Sequence, residues 1–300
     1  MHLQQRTSAY AALAIGVFAI AWSAIFVRWT HMPGIASAFY RVLFASLALA
    51  PFLRRSPSPL RRTKSSVLLA MLGGAFFAGD IGFFNSSVLQ TSASSATFLA
   101  NNAPLVVALL TWAITRKLPS RRFWLAFAIS LAGATLIVAV DKHLVNASFS
   151  ADLMAVAASV CFACYLVVTE RLRGVFSTTR LLAVSSASSA AVLFLCAVLT
   201  RTSLRIPGFF PFLALVGLGC VCQVVGYFCL TYALGHLPAT VSSITMLAVA
   251  PLTAVIAFIL FSERLTGLQI LGNGLVLTGV WIISQRDSNT ALAATSPPAL

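Results

Sequence analysis

Charged residues are scarce in this 300-residue chain: 9% of the residues are charged, and only six are Asp or Glu. A soluble domain ordinarily carries about 25% charged residues. The chain also lacks a glycine-rich phosphate-binding loop, an H-E-x-x-H pair and a G-x-S-x-G nucleophile motif. These absences exclude an ATP-driven pump and disfavour an intramembrane enzyme. We therefore expect no enzymatic activity, no catalytic residues and no cofactor.

The six cysteines do not form a metal site. Cys161 and Cys164 have C-x-x-C spacing, but the chain offers no second pair and no nearby histidine, as a zinc site would require. All six lie in apolar segments, where we interpret them as small packing residues. The sequence therefore predicts no bound metal.

Apolar sequence, in contrast, is abundant, at 59% of the residues. A membrane core about 30 Å thick is crossed by roughly 20 apolar residues in a helix. Stretches of about this length fill the chain, and a backbone in lipid must satisfy its own hydrogen bonds, so we predict helices. The ten predicted spans are 9–29, 34–53, 66–87, 92–115, 123–140, 151–169, 179–199, 209–232, 239–261 and 265–284.

The second half of the chain repeats the first. The segment at 92–118 aligns without a gap with the segment at 239–265, so that Pro104 meets Pro251. Because five spans are an odd number, the second copy enters the membrane in the opposite orientation, an architecture typical of secondary transporters. We predict an all-α membrane protein of ten transmembrane helices in two inverted five-helix repeats. The predicted boundaries are 9–140 and 151–284 for the repeats and 285–300 for a disordered cytoplasmic tail.

The net charge of +14 has a membrane explanation. Most of the cations fall in loops that share one side of the membrane with both termini, and positive loops stay in the cytoplasm. We therefore predict a multi-pass inner-membrane protein with both termini cytoplasmic. Basic residues interleaved with aromatics on a soluble face, as in nucleic-acid binders, are missing, so we expect no nucleic-acid partner. The loop cations on this side are Arg54, Arg55, Arg61, Arg62, Lys64, Arg116, Lys117, Arg121, Arg122, Arg171, Arg173 and Arg180.

Two charged residues lie deep within the predicted spans. Arg41 and Asp80 are both about 10 Å below the external end of their helices, at 1.5 Å per residue. A charge inside a membrane is costly and is a candidate for function. Two interpretations stay open at this point: an ion pair that locks the second and third spans together, or a gate and clamp for the charged ends of a zwitterionic substrate.

Several uncharged residues complete the candidate substrate-binding or gating set. Polar groups in apolar helices normally face the interior of the bundle, and each proline frees a backbone carbonyl one turn back. We predict kinked helices at both prolines, which either satisfy their own hydrogen bonds or flex during transport. The candidates for binding or gating are Trp22, Asn101, Asn102, Tyr165, Gln223 and Tyr227, and those for kinks are Pro104 and Pro251.

With this repeat, length and span count, the chain resembles the EamA-type drug/metabolite transporters. The resemblance covers about residues 9–284 and implies a ten-helix inner-membrane permease for amino acids, other metabolites or drugs, often moved outward. The family's acidic residue before the last span of each repeat is matched by Glu263, whereas the first copy has Arg116-Lys117. The supporting residues are Trp22, Phe26, Arg28, Pro33, Arg41, Pro104, Pro251, the run Ser262-Glu263-Arg264-Leu265, Gly272 and Gly279.

From these features we predict a secondary transporter that exports a small metabolite, such as an amino acid, by alternating access. The expected partners are a small-molecule substrate and the lipid bilayer, and a homodimer remains open. Within transporters, the alternatives are a drug or a phosphorylated metabolite or nucleotide-sugar. The last two would favour several deep cations, of which only Arg41 is present. An intramembrane enzyme or a scaffold is the alternative from another class.

Overall fold

The computed structural model describes residues 2–53, 63–90, 100, 102–139, 149–261 and 266–285. The regular elements in these ranges are all helical, which confirms the predicted all-α class. They are α1 (His2–Ala21), α2 (Ser23–Thr30), α3 (Gly34–Leu53), α4 (Lys64–Val88), α5 (Ala103–Thr115), α6 (Arg121–Ala139), α7 (Phe149–Leu172), α8 (Thr178–Leu199), α9 (Phe209–Gly217), a π-helix (Leu218–Gly226), α10 (Tyr227–Ala233), α11 (Ala239–Met246), α12 (Val249–Phe261) and α13 (Gly267–Ser284).

Within the described ranges, eight helical stretches are long and apolar enough to cross a membrane. The helices α5, a shorter apolar helix of 13 residues, and α6, of 19 residues, lie in the fourth and fifth predicted spans. The count of ten crossings therefore stays a prediction. The eight stretches are Gln5–Thr30, Gly34–Leu53, Lys64–Val88, Leu153–Leu172, Thr178–Leu199, Phe209–Ala233, Ala239–Leu260 and Gly267–Ser284.

The outer surface of these helices is apolar. Leu199 is 73% exposed, Phe209 is 79% exposed, and many other large hydrophobic side chains also face outward. A protein with so much exposed apolar surface would aggregate in water. The surface suits a lipid environment, in which helices satisfy the hydrogen bonds of their own backbone. The fold is that of a multi-pass membrane protein.

Four helices begin at side-chain caps. At the start of α6, the Ser120 hydroxyl accepts a hydrogen bond from the Phe123 amide at 3.2 Å. The Thr63 hydroxyl accepts a hydrogen bond from the Ser66 amide at 3.2 Å, which starts α4. Ser177 caps α8 in the same way through the Arg180 amide, and Thr266 forms a capping box with Gln269 at the start of α13. Each cap satisfies an amide that has no partner inside the helix.

Three of the predicted spans are interrupted. Trp22 separates α1 from α2, and residues 247–248 separate α11 from α12. In the eighth span, the nine-residue π-helix stands between α9 and α10. Interruptions of this kind are tolerated in a membrane helix where neighbouring protein surrounds them, and π-helical turns often mark functional sites.

The two halves of the chain pack their helices in the same pattern. Helix α4 of the first half packs on α7 of the second half. In the equivalent arrangement, the π-helix and α10 of the second half pack on α1 of the first half. Corresponding helices also pack on each other: α3 on α8, and α6 on α13. The elements that surround the molecular centre therefore come in equivalent pairs, one from each half.

The pairs of corresponding helices run antiparallel. Phe39, near the start of α3, lies 5.6 Å between ring centroids from Phe194, near the end of α8. Arg122, at the start of α6, donates a hydrogen bond to the carbonyl oxygen of Gln285, just past the end of α13. In both pairs, the start of one helix therefore lies beside the end of its counterpart.

Candidate functional site

A cavity of about 120 Å³ lies at the centre of the helices and is shared by both halves. Polar groups from seven helices line it, among mostly apolar neighbours, which is the usual make-up of a small-molecule site. The volume is larger than one water needs but below the roughly 300–1,000 Å³ of sites for drug-sized ligands. The polar lining residues are Ser23, Arg41, Asp80, Ser159, Tyr227, Ser243 and Thr253.

Arg41 is the cation of this site, and it is 2% exposed. Its Nε donates to Oε1 of Gln223 at 2.9 Å, and its Nη1 donates to the Ser23 hydroxyl at 3.0 Å. Its Cζ lies 5.2 Å from the ring centroid of Tyr227 and 5.9 Å from that of Phe77, close enough for cation–π attraction. These contacts fix the orientation of the guanidinium without supplying a negative charge.

Asp80 lines the same cavity from α4. The two charges are therefore brought to one chamber, as the depth count predicts. They do not form the ion pair that the sequence left open: both residues are described, and no ion pair within 4.0 Å joins them. The guanidinium instead donates hydrogen bonds to Gln223 of the π-helix and Ser23 of α2.

At the contact between Arg41, which lines the cavity, and Gln223, which does not, two nitrogen atoms lack an acceptor among the described residues. The Nη2 of Arg41 and the Nε2 of Gln223 are buried, and neither has a hydrogen-bond partner in the part of the chain that the structure describes. An unpaired buried donor costs about 1–3 kcal/mol, and more for a charged group. The two donors, one of them charged, would be satisfied by an anionic group that enters the cavity.

Gln223 owes its position to the π-helix. It is 0% exposed and lies in the middle of this element, which packs against α1 and α3. Glycines on both sides of Gln223 permit this close approach: a Cβ added at Gly219 would lie 3.1 Å from the Arg41 carbonyl oxygen, and one at Gly226 would lie 2.7 Å from Ile20 Cγ1. The π-helix therefore delivers the amide to the guanidinium.

Tyr227 and Tyr165, both predicted, lie side by side but differ in access to the cavity. Tyr227 lines it, whereas Tyr165 is 1% exposed and contacts the rings of Phe77 and Tyr227 at centroid distances of 4.8 and 6.1 Å. Phe77 also contacts Tyr227, at 4.6 Å.

Both predicted prolines lie in the first turn of a described helix. Pro251 is in the first turn of α12, and the Leu247 carbonyl, which it leaves without a partner one turn back, accepts instead from the Ala250 amide at 3.2 Å. Pro104 lies at the start of α5 and lines the cavity. At the start of a helix a proline loses no hydrogen bond, so Pro104 starts a helix rather than bending the interior of a described one.

The remaining candidates are less central. Trp22 is not among the described residues that line the cavity: it lies at the break between α1 and α2 and packs on Phe26, with ring centroids 6.0 Å apart. Asn102 precedes α5 as its partly exposed N-cap residue. Asn101 and Glu263 lie outside the described residues.

Sequence reasoning missed four residues of the site. Ser23 is adjacent to the predicted Trp22, and a hydroxyl group within a predicted apolar span was an available signal. Ser159, which is 2% exposed, and Thr253 also line the cavity. Phe77 is one of 22 phenylalanines, and nothing in its sequence surroundings distinguishes it.

Two comparisons concern the sequence. The EamA-like transporter family matches residues 7–139 and 149–285. The "Uncharacterized transporter YwfM" of Bacillus subtilis (strain 168) is 28% identical over 221 residues, which cover 70% of this chain and 72% of that protein.

The third comparison concerns the fold. A solved structure, described only as "Crystal structure of protein", superposes with a TM-score of 0.75 at 19% identity. The superposition covers 97% of this chain and 99% of that chain, so the helical arrangement is one already seen in a crystal.

Proposed function

This chain belongs to the EamA-like transporter family, and we propose that it is a secondary transporter that exports a small zwitterionic metabolite, such as an amino acid, across the inner membrane. The transporter has ten membrane helices in two inverted five-helix repeats, with both termini in the cytoplasm. The central cavity opens alternately to the two sides.

The antiparallel packing of corresponding helices supports the inverted arrangement. Two similar units that are inverted about an axis in the membrane plane place each helix against a counterpart of opposite direction. The contacts between α3 and α8, and between α6 and α13, have this geometry. A structure of two similar halves can exchange their conformations and so expose one site to either side.

The observation that carries the proposed substrate is the presence of two opposite charges, not paired with each other, in one central cavity. A carboxylate on the substrate would accept from Nη2 of Arg41, which has no acceptor of its own among the described residues. An ammonium group on the substrate would lie at Asp80. A zwitterion satisfies both charges at once, whereas either charge alone is costly inside a membrane.

Other substrates are less well supported. Arg41 is the single cationic side chain among the described lining residues, and the several charges of a phosphorylated metabolite or nucleotide-sugar would call for more. The cavity volume of about 120 Å³ favours a small metabolite over a drug in this conformation. We also infer that the chain is a transporter without enzymatic activity.

The test is uptake of labelled amino acids by proteoliposomes that contain the full chain, with and without a pH gradient. We expect saturable uptake of small amino acids such as alanine. Alanine amide, which lacks the carboxylate, and lactate, which lacks the ammonium, should compete poorly. Equal competition by all three compounds would contradict the zwitterion proposal.

Asp80→Asn sharpens this test. The substitution keeps the size of the side chain and removes the charge, so we expect uptake to fall while the amount of folded protein is kept. Glu170→Gln is the matched control. It removes an acidic group that lies on α7 and does not line the cavity, and it should retain uptake. Equal loss of folded protein in Asp80→Asn and Arg41→Ala would instead indicate a structural role for both charges.

A further inference from the structure

Three aromatic rings meet at the centre of the molecule, each from a different helix. Phe77 of α4, Tyr165 of α7 and Tyr227 of α10 have mutual centroid distances of 4.6, 4.8 and 6.1 Å. They are among the most deeply buried large side chains, with exposures of 0%, 1% and 4%. We name these three residues the aromatic cluster. They leave no open channel through the point where they meet.

The aromatic cluster lies on one side of the cavity. Phe77 precedes the lining residue Asp80 by three positions, about 4.5 Å toward the start of α4. Tyr165 follows the lining residue Phe162 by three positions, the same distance toward the end of α7. Tyr227 itself lines the cavity. The rings therefore form its floor.

The start of α4 and the end of α7 belong to the same end of the molecule. Ala70 of α4 packs with Leu172, Phe176 and Leu181 in one buried cluster. This end carries the cations Lys64, Arg171, Arg173 and Arg180, and we name it the cationic face. The aromatic cluster thus separates the cavity from the face that the positive-inside rule assigns to the cytoplasm.

Hydroxyl groups continue beyond the rings toward the cationic face. The phenol of Tyr165 lies near the hydroxyls of Thr169, Ser185 and Thr231, which come from α7, α8 and α10. All three residues are buried. Two buried hydroxyls have no hydrogen-bond partner among the described residues: the Oγ1 of Thr231 and the Oγ of Ser186, which follows Ser185 on α8. We name Thr169, Ser185, Ser186 and Thr231 the hydroxyl segment.

We propose that the aromatic cluster is the barrier on the cytoplasmic side of the cavity and that the hydroxyl segment is the part of the transport path behind it. Buried hydroxyls without partners are costly in a permanently dry core, but water or a passing substrate would satisfy them when the rings separate. The ammonium of a small zwitterion can pass along aromatic faces and then exchange hydrogen bonds among hydroxyls. This assignment rests on the proposed transport function and adds the route to it.

Cysteine labelling tests the hydroxyl segment without any knowledge of the substrate. Thr231→Cys and Ala233→Cys both place a thiol in α10 at a position that is 0% exposed. Ala233 lies two residues closer to the end of α10 and packs in the apolar core. Everted vesicles, which expose the cytoplasmic face, are treated with 2-aminoethyl methanethiosulfonate. Peptide mass spectrometry then reads each site separately from the native cysteines.

We expect Thr231→Cys to react at least about tenfold faster than Ala233→Cys. An open state populated at about 0.1–10% exposes side chains along the transport path to the reagent but leaves the apolar core inaccessible. Reaction governed by depth alone would favour Ala233→Cys and would overturn the assignment of the hydroxyl segment. Right-side-out vesicles should give slower labelling of Thr231→Cys than everted vesicles. The reverse result would contradict the placement of the barrier on the cytoplasmic side.

Phe77→Ala tests the barrier, with Phe76→Ala as the matched control one position away on α4. The reporter is Ser159→Cys, a thiol in the cavity. With the reagent added to everted vesicles, we expect Phe77→Ala to raise the labelling rate about tenfold or more and Phe76→Ala to leave it unchanged. If Phe77→Ala does not fold, Phe77→Leu removes the ring while it keeps most of the volume. Equal rates in the Phe77 and Phe76 variants would overturn the barrier.

Failure of this assignment is distinguishable from failure of the proposed function. Amino-acid uptake with none of the expected labelling differences would leave the transporter in place and remove the route. The expected labelling pattern without uptake of any amino acid would keep the route and overturn the substrate class alone.

Discussion

The two halves of the chain use the same helix packing but place different chemistry at the cavity. The first half supplies both charges, Arg41 on α3 and Asp80 on α4. The second half supplies neutral groups: Tyr227 on α10 lines the cavity, and Gln223 on the π-helix accepts a hydrogen bond from Arg41. The halves share their helix packing because each must bury the same kind of apolar surface. The polar side chains that each half contributes to the site are not constrained in this way and differ between the halves.

This difference suggests a division of labour between the halves. The guanidinium of Arg41 is held by Gln223 from the opposite half and by Ser23 from its own. We expect first-half residues to bind the charged ends of the substrate and second-half residues to position Arg41. Substitutions in the first half should then have the larger effects on transport.

The largest expected effect is that of Arg41→Lys. Lysine keeps the charge but lacks the planar guanidinium. In Arg41, two guanidinium nitrogens bind Gln223 and Ser23, and Nη2 is left for a ligand. Loss of a hydrogen bond to a charged group costs about 1.5–3 kcal/mol, or about a 10- to 140-fold rise in the KM for alanine. Uptake kinetics measure it. An unchanged KM would show that charge alone suffices and would remove the need for orientation by the second half.

Gln223→Leu should have a smaller effect because it removes a neutral group that acts through Arg41. A hydrogen bond between protein groups contributes about 0.5–1.5 kcal/mol, so we expect the KM to rise about two- to tenfold. Gln90→Leu, at an exposed glutamine outside the cavity, is the control. An effect of Gln223→Leu as large as that of Arg41→Lys would mean that the two halves contribute equally to binding.

The hydropathy of the sequence predicted the helices well because each must match the thickness of the membrane. The positions of the described helices follow the apolar runs, and the ninth span breaks three residues before the predicted proline, Pro251. Counting residues also placed Arg41 and Asp80 at one level, and both line the cavity. Depth along a helix follows from the sequence with little ambiguity, since the rise per residue is fixed.

Rotation about the helix axis was not predictable in the same way. It depends on contacts between helices that are far apart in sequence, such as Arg41 with Gln223, which are separated by 182 positions. Trp22 is not among the described residues that line the cavity, and the adjacent Ser23 contacts Arg41 instead. The π-helix that positions Gln223 also lacks a recognisable sequence signal.

Away from the cavity, the halves are alike in chemistry as well, and Gly133→Ala tests this shared packing. A Cβ at Gly133 of α6 would lie 2.5 Å from the Gly272 carbonyl oxygen and 2.8 Å from the Val276 amide nitrogen of α13. Gly279 of α13 makes the reciprocal close approach to Ala126 and Ser130 of α6. We expect Gly133→Ala to destabilise the protein by about 1–3 kcal/mol through overpacking, and to lower the Tm in detergent. The KM should not change.

The smallest expected effect is that of Gly274→Ala, which has the opposite sign. Gly274 lies in α13 between the close-contact residues Gly272 and Gly279, but its added Cβ would meet nothing within 4 Å. Without a clash, alanine reduces the conformational entropy of the unfolded chain and stabilises the helix by about 0.4–1 kcal/mol. We therefore expect a slightly higher Tm for Gly274→Ala and a lower one for Gly133→Ala. A loss of stability in both variants would show that the helix surface facing away from α6 is also occupied, as it would be in a homodimer. Cross-linking of Gly274→Cys between two copies would then identify that surface as an interface.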